Sequence, residues 1–403
     1  MTLETATDWT AASAAEFDDV VALRRAIHAD PEIGLHCPRT AEKIKAALAG
    51  LPLEIHDSTS TTGFVAILRG GRDNGRTVLL RGDHDALPMQ EETGLPFASR
   101  VPNAMHACGH DSHTAMLVGA AKILCARKDD LPGTVVFMFQ PGEEGYHGAR
   151  YMIDDGLLDV ARPEAAFALH ISPNIPAGVV VSRPGPLLAS ADTLHATIHG
   201  RGGHGAMPHE CLDPIPVACE IVTALQTYIA RQVPVMDPAV LTIAQINAGS
   251  AHNIIPAKAE MVGTLRTLSE ETREKMQQAF VRIVENIAAA HGATGEARIE
   301  QGYPVTMNDA RACALMKTCA QQLGGEAGWA PMPAPMMGAE DFAYVLREVP
   351  GAMAFLGVAP EGSDFRTNPP LHNTRMTIEE SVMARGVAMH CAMAERFLND
   401  GMG

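Results

Sequence analysis

Short, almost continuously apolar runs recur through the first half of the chain, and they constrain the fold more than any other feature. Residues 64–68, 77–80, 134–139 and 165–169 each form such a run, bounded by Gly, Pro or charged residues. Runs of this length and composition are typical of strands buried on both faces of a sheet. Because residues 113–125 have helical length and composition, the pattern predicts an α/β domain in which helices cover a mixed, mostly parallel sheet.

The middle of the chain has a different order of elements. It reads as a strand, a helix, two strands, a helix and a last strand, over residues 192–199, 214–233, 239–246, 260–268, 269–291 and 297–302. This β-α-β-β-α-β order is that of a ferredoxin-like α+β unit. An apolar strand at 352–358 and a helix at 381–397 follow it. We therefore expect a discontinuous first domain of residues 1–189 and 304–403, with residues 190–303 inserted into it as a second domain.

Charge and cysteine usage exclude several classes of partner and location. Lys and Arg total 31 against 47 Asp and Glu, a formal net charge of -16. An acidic surface repels phosphate backbones and anionic lipids, so nucleic acid and membranes are not expected partners. The N-terminus has acidic residues where a signal peptide needs positive charge. The eight cysteines are scattered singly, as suits reduced thiols, and a cytoplasmic location is expected.

Acidic and imidazole side chains follow three of the predicted strands. Asp83 and Asp85 come after the run at 77–80, Glu143 and Glu144 come after 134–139, and His170 ends the run at 165–169. Ligands of open α/β sheets bind outside the carboxyl ends of the strands. The sequence therefore predicts one site at this rim of the sheet.

Cys108 and His110 form a Cys-x-His pair directly before the predicted helix. With Asp111 or Ser112 as the helix cap, both side chains would lie in an extended loop and point the same way, toward one metal. A zinc ribbon would need a second Cys/His pair, which is missing, and Cys108 could instead be a catalytic nucleophile.

The adjacent acids Glu143 and Glu144 can divide two tasks. One can bind a metal and stay ionised while the other carries a proton between water and the leaving group. The alternative is a solvated acidic turn.

Together these residues resemble the amidohydrolase branch of the metallopeptidase family that contains aminoacylases, hippurate hydrolases and indole-acetyl-amino-acid hydrolases. The resemblance rests on blocks in family order: Arg81-Gly-Asp-His-Asp-Ala-Leu-Pro88, residues 105–113, Gln140-Pro-Gly-Glu-Glu-Gly145, Leu169-His170, residues 200–209, Asn253-Ile-Ile-Pro256, Gly263-Thr-Leu-Arg266, Met337-Gly-Ala-Glu-Asp-Phe342 and Leu371-His-Asn373. They extend over nearly the whole chain.

The resemblance implies a site with two divalent metal ions, zinc or manganese first, cobalt or nickel as further options. The implied ligands are Cys108, as the bridge, with His110 and His170 on one ion and Glu144 and His372 on the other. Glu143 would act as general base on a water held between the ions, and Asp85 would form an orienting hydrogen bond with His110 or its neighbourhood.

The resemblance implies that residues 1–189 and 304–403 form the catalytic, metal-binding domain and that residues 190–303 form an inserted lid or dimerisation domain, which contributes further residues. The resemblance implies that His204 closes over the site and polarises the scissile carbonyl. It also implies that Asn253 and Arg266 grip the substrate carboxylate, often across the interface of a homodimer or higher homo-oligomer.

The implied activity is hydrolysis of the amide bond of a small N-acyl amino acid, such as a hippurate-like or N-acetyl compound. A metallopeptidase, dipeptidase or other small-amide hydrolase is the alternative on the same site. A metal-independent cysteine hydrolase and a non-catalytic binding protein represent other classes. The chain departs from the family at Gly82 and His84, where Ala and Met are usual, and at Thr374-Arg375-Met376, where proline and an aromatic residue are usual.

Overall fold

The computed structural model describes residues 8–402, and the chain divides into two compact units. The first unit comprises the described residues of Met1–Leu187, Met307–Ala334 and Tyr344–Gly403. The second comprises Leu188–Thr306 and Pro335–Ala343.

An eight-stranded mixed sheet is the centre of the first unit. Its strands, in spatial order, are Glu54–Asp57, Phe64–Arg69, Pro132–Gln140, Arg72–Asp83, Ala165–Ser172, Gly351–Gly357, Val180–Ser182 and Trp329–Pro331. The third to sixth of these strands are parallel to one another, and antiparallel pairings flank them. Gly351–Gly357 is buried at every position, as expected of a strand covered on both faces. The predicted α/β class is confirmed.

Helices cover this sheet. Those of the first unit are Trp9–Ala15, Phe17–His28, Pro38–Leu48, His110–Ala126, Gly148–Asp154, Ala310–Gly324 and Met383–Asp400, with short 3-10 turns at Lys128–Asp130, Glu326–Gly328 and Glu380–Val382. The helix His110–Ala126 is buried along almost its whole length and packs in the same core as Met383–Asp400. Its first turn is therefore held in place by the packing of the whole helix.

The second unit is a four-stranded antiparallel sheet with two long helices. The strands, in spatial order, are Ala239–Ala248, Lys258–Thr267, Asp192–His199 and Thr294–Gln301, and the helices are Pro214–Gln232 and Glu270–Ala290. Asp213 and Ser269 cap the two helices through their side chains. The chain order and strand order are those of the ferredoxin-like fold predicted for this region. A two-stranded ribbon of Gly203–His204 and Ile254–Ile255 and a 3-10 turn at Pro208–Glu210 complete the unit.

Residues Pro335–Ala343 belong to the second unit, whereas the sequence analysis placed them with residues 304–403. The reason is local pairing, since the Ala189 N–H lies 3.1 Å from the carbonyl oxygen of Met336 and 2.8 Å from that of Gly338. The chain passes from one unit to the other at the strands Gly185–Leu188 and Thr306–Asn308 and at the helix Phe342–Glu348. Within residues 8–402, no helix has the length and apolarity needed to cross a membrane.

Candidate metal centre

Three adjacent parallel strands deliver the candidate residues to one edge of the large sheet. Asp83 ends the middle strand, and it is paired in register with Gln140, the last residue of the neighbouring strand. Glu143 and Glu144 follow Gln140 directly, and His170 lies near the end of the strand on the other side.

Cys108 and His110 reach this edge differently from the prediction. The helix begins at His110, and Gly109 precedes it in the left-handed conformation, with φ +80°. The predicted caps Asp111 and Ser112 are thus inside the helix, and His110 is not in an extended loop. The prediction was wrong because it overlooked that glycine can adopt a conformation that other residues avoid.

The ligand-type atoms of these residues are close together. One such atom from each of Cys108, His110 and His170 lies within 4.8 Å of the other two, and the same holds for Cys108, Glu144 and His372. Cys108 is common to both groups, which is the arrangement that a bridging ligand between two ions requires.

Hydrogen bonds fix which nitrogen each histidine presents. His170 Nδ1 lies 2.7 Å from the carbonyl oxygen of Ile171, and His110 Nδ1 lies 3.0 Å from that of Asp85. A carbonyl oxygen only accepts, so both Nδ1 atoms carry hydrogen, and in the neutral form of each ring Nε2 is the nitrogen with the lone pair. His170 Nε2 lies 3.4 Å from Cys108 Sγ.

Two buried atoms of the cluster, His110 Nε2 and Glu144 Oε1, make no well-aligned hydrogen bond within residues 8–402, although Glu144 Oε1 lies 3.1 Å from His372 Nε2. Buried polar atoms are nearly always paired, so each unpaired one needs an explanation. Lone pairs of imidazole and carboxylate that face one another are explained if a cation binds between them.

His372 adopts a strained backbone conformation. Its φ is +64°, a value uncommon for residues other than glycine. Its N–H donates to the carbonyl oxygen of Ala107 at 2.9 Å, and its Nε2 lies 3.1 Å from Glu144 Oε1. Such strain persists where the surroundings hold a side chain in place, commonly at functional sites.

Asp85 connects the histidine to the acidic pair. Its Oδ1 accepts the Glu143 N–H at 2.9 Å and its Oδ2 accepts the Glu144 N–H at 3.0 Å. Its Oδ1 also lies 3.4 Å from His110 Nδ1. Burial alone would raise the pKa of the Asp85 carboxyl, but these contacts with His110 and the two backbone N–H groups lower it. Asp85 is therefore ionised and fixes the turn that carries Glu143 and Glu144.

A second buried network lies beside the cluster. The sequence placed Asp83 at this rim but did not predict its pairing with His113. Asp83 is 2.7 Å from Arg81 Nη1 and accepts from His113 Nδ1 at 2.6 Å, while His113 Nε2 accepts the Ile171 N–H at 2.9 Å. Both ring nitrogens of His113 are used in these hydrogen bonds. His113 therefore supports the strand that carries His170 and does not bind metal. The spacing of His110 and His113, three residues apart on one helix, was the available signal.

The cluster holds an excess of negative charge. Burial alone would lower the pKa of His110, but Asp83 and Asp85 raise it to about 10. Burial and the carboxylates of Glu144 and Glu143 hold the pKa of the Cys108 thiol well above its usual range. Two divalent cations would offset this charge and stabilise the thiolate. The thiolate, imidazole and carboxylate donors suit zinc and manganese.

The residues that depart from the family lie close by. His84 is fully buried, both of its ring nitrogens are without a hydrogen-bond partner among residues 8–402, and burial lowers its pKa to about 4. Met376 is buried against Met105 and Ala107. Thr374 Oγ1 donates to Glu92 at 2.7 Å. The unusual segment after His372 is thus anchored in the first unit.

The remaining candidates lie in the second unit. His204 pairs with Ile254 in the short ribbon, and the neighbouring Gly205 N–H donates to the carbonyl oxygen of Asn253 at 2.8 Å. The structure therefore brings His204 and Asn253 together, both exposed. Arg266 is half-buried on Lys258–Thr267 and donates to Thr264 Oγ1 at 3.3 Å. The parts of these three residues in catalysis remain predictions.

Comparisons with known proteins agree with this architecture. The family model described as peptidase family M20/M25/M40 matches residues 79–396. The chain is 38% identical over 339 residues to N-acetylcysteine deacetylase of Bacillus subtilis, which covers 84% of this chain and 88% of the relative. It is 37% identical over 390 residues to thermostable carboxypeptidase 1 of Saccharolobus solfataricus, over 95% and 96% of the two chains.

Among solved structures, the chain is similar to a dinuclear metal-binding peptidase of the M20 family from Bacillus subtilis. The TM-score is 0.82 at 33% identity, over 96% of this chain and 99% of the other. The cluster on the large sheet offers donors for two metal ions, and the family match spans the segments that carry all of them. The chain therefore belongs to peptidase family M20/M25/M40 and is a metal-dependent hydrolase of amide bonds.

Proposed function

We propose that the protein hydrolyses the amide bond of small N-acyl amino acids, with Glu143 as general base. The observation that carries the proposal is the turn after the strand Pro132–Gln140. There Asp85 holds the backbone of Glu143 and Glu144, and both glutamates place a carboxylate oxygen within 4.8 Å of a ligand-type atom of His110. Glu144 then binds metal and Glu143 remains for proton transfer.

The metal ligands in this proposal are Cys108, His110, Glu144, His170 and His372. When bound, two divalent ions polarise the substrate carbonyl and lower the pKa of water toward neutrality. The chain's own residues do the rest. The His110 and His170 rings are oriented by their Nδ1 hydrogen bonds, so ion binding does not need to order them.

Glu143 carries the proton. Its side chain is almost fully buried, which shields it from competing bulk water. It accepts a proton from the attacking water and returns it to the departing nitrogen, which would otherwise be a very poor leaving group.

Residues of the second unit complete the proposed site. His204 donates a hydrogen bond to the oxyanion that develops on the scissile carbonyl. Arg266 and Asn253 bind the substrate carboxylate, for which the planar guanidinium is suited. Burial lowers the pKa of Arg266, yet the group stays cationic at neutral pH. We propose that these residues act in a homodimer. Measuring the molar mass in solution tests whether the dimer forms.

The substrate class is supported by the deacetylase relative, which is named for an N-acetyl amino acid. The carboxypeptidase relative supports a second candidate, cleavage of a C-terminal residue from a short peptide. Both reactions release a free amino acid from an amide. A panel of N-acetyl and N-benzoyl amino acids beside blocked dipeptides, assayed for released amine, distinguishes them.

The decisive test combines metal removal with Glu143→Gln. Chelation is expected to abolish activity, and Mn²⁺ or Zn²⁺ to restore it, with Co²⁺ and Ni²⁺ tested alongside. Glu143→Gln is expected to keep the metals and lower kcat by about 10²–10⁴-fold. Glu42→Gln, an exposed site on a surface helix, is the matched control. Chelator-resistant turnover would reject the metal mechanism, and full activity of Glu143→Gln would reject the general base.

A metal-independent cysteine hydrolase is disfavoured by the environment of Cys108. A nucleophilic cysteine needs a lowered pKa. Burial and the two glutamates raise the pKa of Cys108, which makes its thiolate dependent on bound cations.

A further inference from the structure

A long loop connects two parts of the proposed metal centre. Leu87 and Met105 pair as an antiparallel bridge, with N–H to carbonyl distances of 3.0 Å in both directions. We call residues 87–105 the bridge loop. It begins two residues after Asp85 and ends three residues before Cys108. Its conformation therefore affects both the residue that orients His110 and the residue that bridges the ions.

Glu91 organises the inside of the bridge loop. Its Oε2 accepts the Ser99 N–H at 2.6 Å, and its Oε1 accepts from Thr93 Oγ1. The same Oε1 lies 3.2 Å from His28 Nε2, on the helix Phe17–His28. Because one carboxylate makes all three contacts, the shape of the loop depends on where His28 holds Glu91.

The other nitrogen of His28 holds the helix that carries His110. His28 Nδ1 lies 2.8 Å from Oδ2 of Asp111, which follows His110 and is fully buried. Both ring nitrogens face carboxylate oxygens, so both donate and the ring is an imidazolium. Also near the ring are Arg24, which donates to Asp111 at 3.0 Å, the ring of Phe97, which is nearly perpendicular to it, and the ring of His106.

The protonated state of His28 has a physical cause. Burial alone would lower its pKa, but Asp111 and Glu91 outweigh burial and the repulsion from Arg24, and raise the pKa to about 9. His106 stays neutral beside it, since burial lowers its pKa to about 3. The link is therefore intact at neutral pH.

We propose that His28 is a positioning residue, whose doubly bonded ring ties the bridge loop to the first turn of the His110 helix and so sets Cys108 and His110 as a ligand pair. The inference rests on the proposed metal centre. Within residues 8–402, no hydrogen bond or ion pair joins His28 to Cys108 or His110. His28 instead acts through Glu91 and Asp111. Without it, Glu91 and Asp111 lose a charged partner. The bridge loop then keeps other contacts with this region, such as the Arg100 N–H that donates to the Ala29 carbonyl oxygen at 3.0 Å, but loses its direct hydrogen-bonded link to Asp111.

Mn²⁺ titration by calorimetry tests the proposal on the full chain after removal of its metals. His28→Gln is expected to bind Mn²⁺ about tenfold more weakly than wild type, with a lower kcat and little change in KM. Glu91→Gln keeps the size but offers one carbonyl oxygen to its donors, so a weakening of roughly threefold or more is expected. His36→Gln, an exposed histidine of the same unit, is the matched control and should bind as wild type.

The double variant, His28→Gln with Glu91→Gln, should weaken binding no more than His28→Gln alone, because both changes break the same link. Limited proteolysis within the bridge loop should accelerate in both single variants. Wild-type Mn²⁺ affinity in both variants would overturn the proposal, even if they melt at a lower temperature. If His28→Gln does not fold, Glu91→Gln decides alone. No Mn²⁺ binding by wild type would refute the metal centre itself.

Discussion

Asp85→Asn is the change that most directly tests how the metal centre is held. The substitution keeps the size of the side chain but replaces one carboxylate oxygen with an NH₂ group. The carboxylate accepts the N–H groups of Glu143 and Glu144 on different oxygens, and an amide has only one acceptor. One of these N–H groups then faces another donor inside the protein, where water cannot replace the lost bond.

The expected cost follows from that geometry. Losing one buried hydrogen bond to a charged acceptor costs about 1.5–3 kcal/mol of unfolding free energy. Because the lost bond fixes the turn carrying Glu143 and Glu144, metal affinity and kcat should each fall by about 10–100-fold. The pKa of Asp85 is lowered in the folded protein, so its contribution is full above the unfolded value of about 3.9 and is lost as pH falls through the folded value. The difference between variant and wild type should shrink below about pH 4.

These effects are measured by denaturant unfolding at pH 7 and pH 3.5, by Mn²⁺ titration and by kcat on an N-acyl amino acid. Asp57→Asn is the control, since Asp57 is exposed and its side chain forms a surface ion pair with Lys45. If Asp85→Asn bound Mn²⁺ and turned over within twofold of wild type, the turn would not depend on Asp85, and the reasoning would be refuted.

Three further predictions concern stability. Mn²⁺ at a hundred times its Kd should stabilise wild type by about 2.7 kcal/mol per site, seen as a higher Tm that chelation reverses. Raising the pH from 6.5 through 9 should remove on the order of 3 kcal/mol of unfolding free energy as His28 deprotonates, and His28→Gln should flatten this slope. Gly109→Ala should lower the unfolding free energy by about 2–5 kcal/mol, because its φ is +80° and its Cβ would lie 2.5 Å from Ile171. Gly75 has the same φ, but no atom lies within 4 Å of the position that an added Cβ would take. Gly75→Ala should therefore lower the unfolding free energy through backbone strain alone, and equal losses at the two positions would contradict the clash at Gly109.

The central strands were predictable because burial on both faces leaves a strong apolar signal. Each of the four predicted runs in the first half lies within an observed strand. The short strands Glu54–Asp57, Val180–Ser182 and Trp329–Pro331 were missed. The first and the last lie at the edges of the sheet and are only partly buried, and the second has only three residues. The helix Ala310–Gly324 was also missed, although its buried residues follow helical spacing.

The site was predictable in composition and less so in geometry. Residue types after strand ends indicate where polar groups converge, which pointed to Glu143, Glu144 and His170. The start of the helix at His110 depends on the conformation of one glycine, which no pattern of apolar residues reports. The pairing of Asp83 with His113 joins residues thirty positions apart, and only the folded sheet makes them neighbours.

The way the ligands are held has a consequence for metal choice. The hydrogen bonds that orient His110 and His170 join Nδ1 to backbone carbonyls, so an ion bound at Nε2 is not part of them. Ion binding therefore spends little free energy on ordering side chains, and the excess negative charge of the cluster provides the attraction. Attraction of this kind depends on the charge of the ion more than on its preferred geometry. Two divalent ions of similar size should then exchange readily, and the metal that occupies the site in the cell should follow availability.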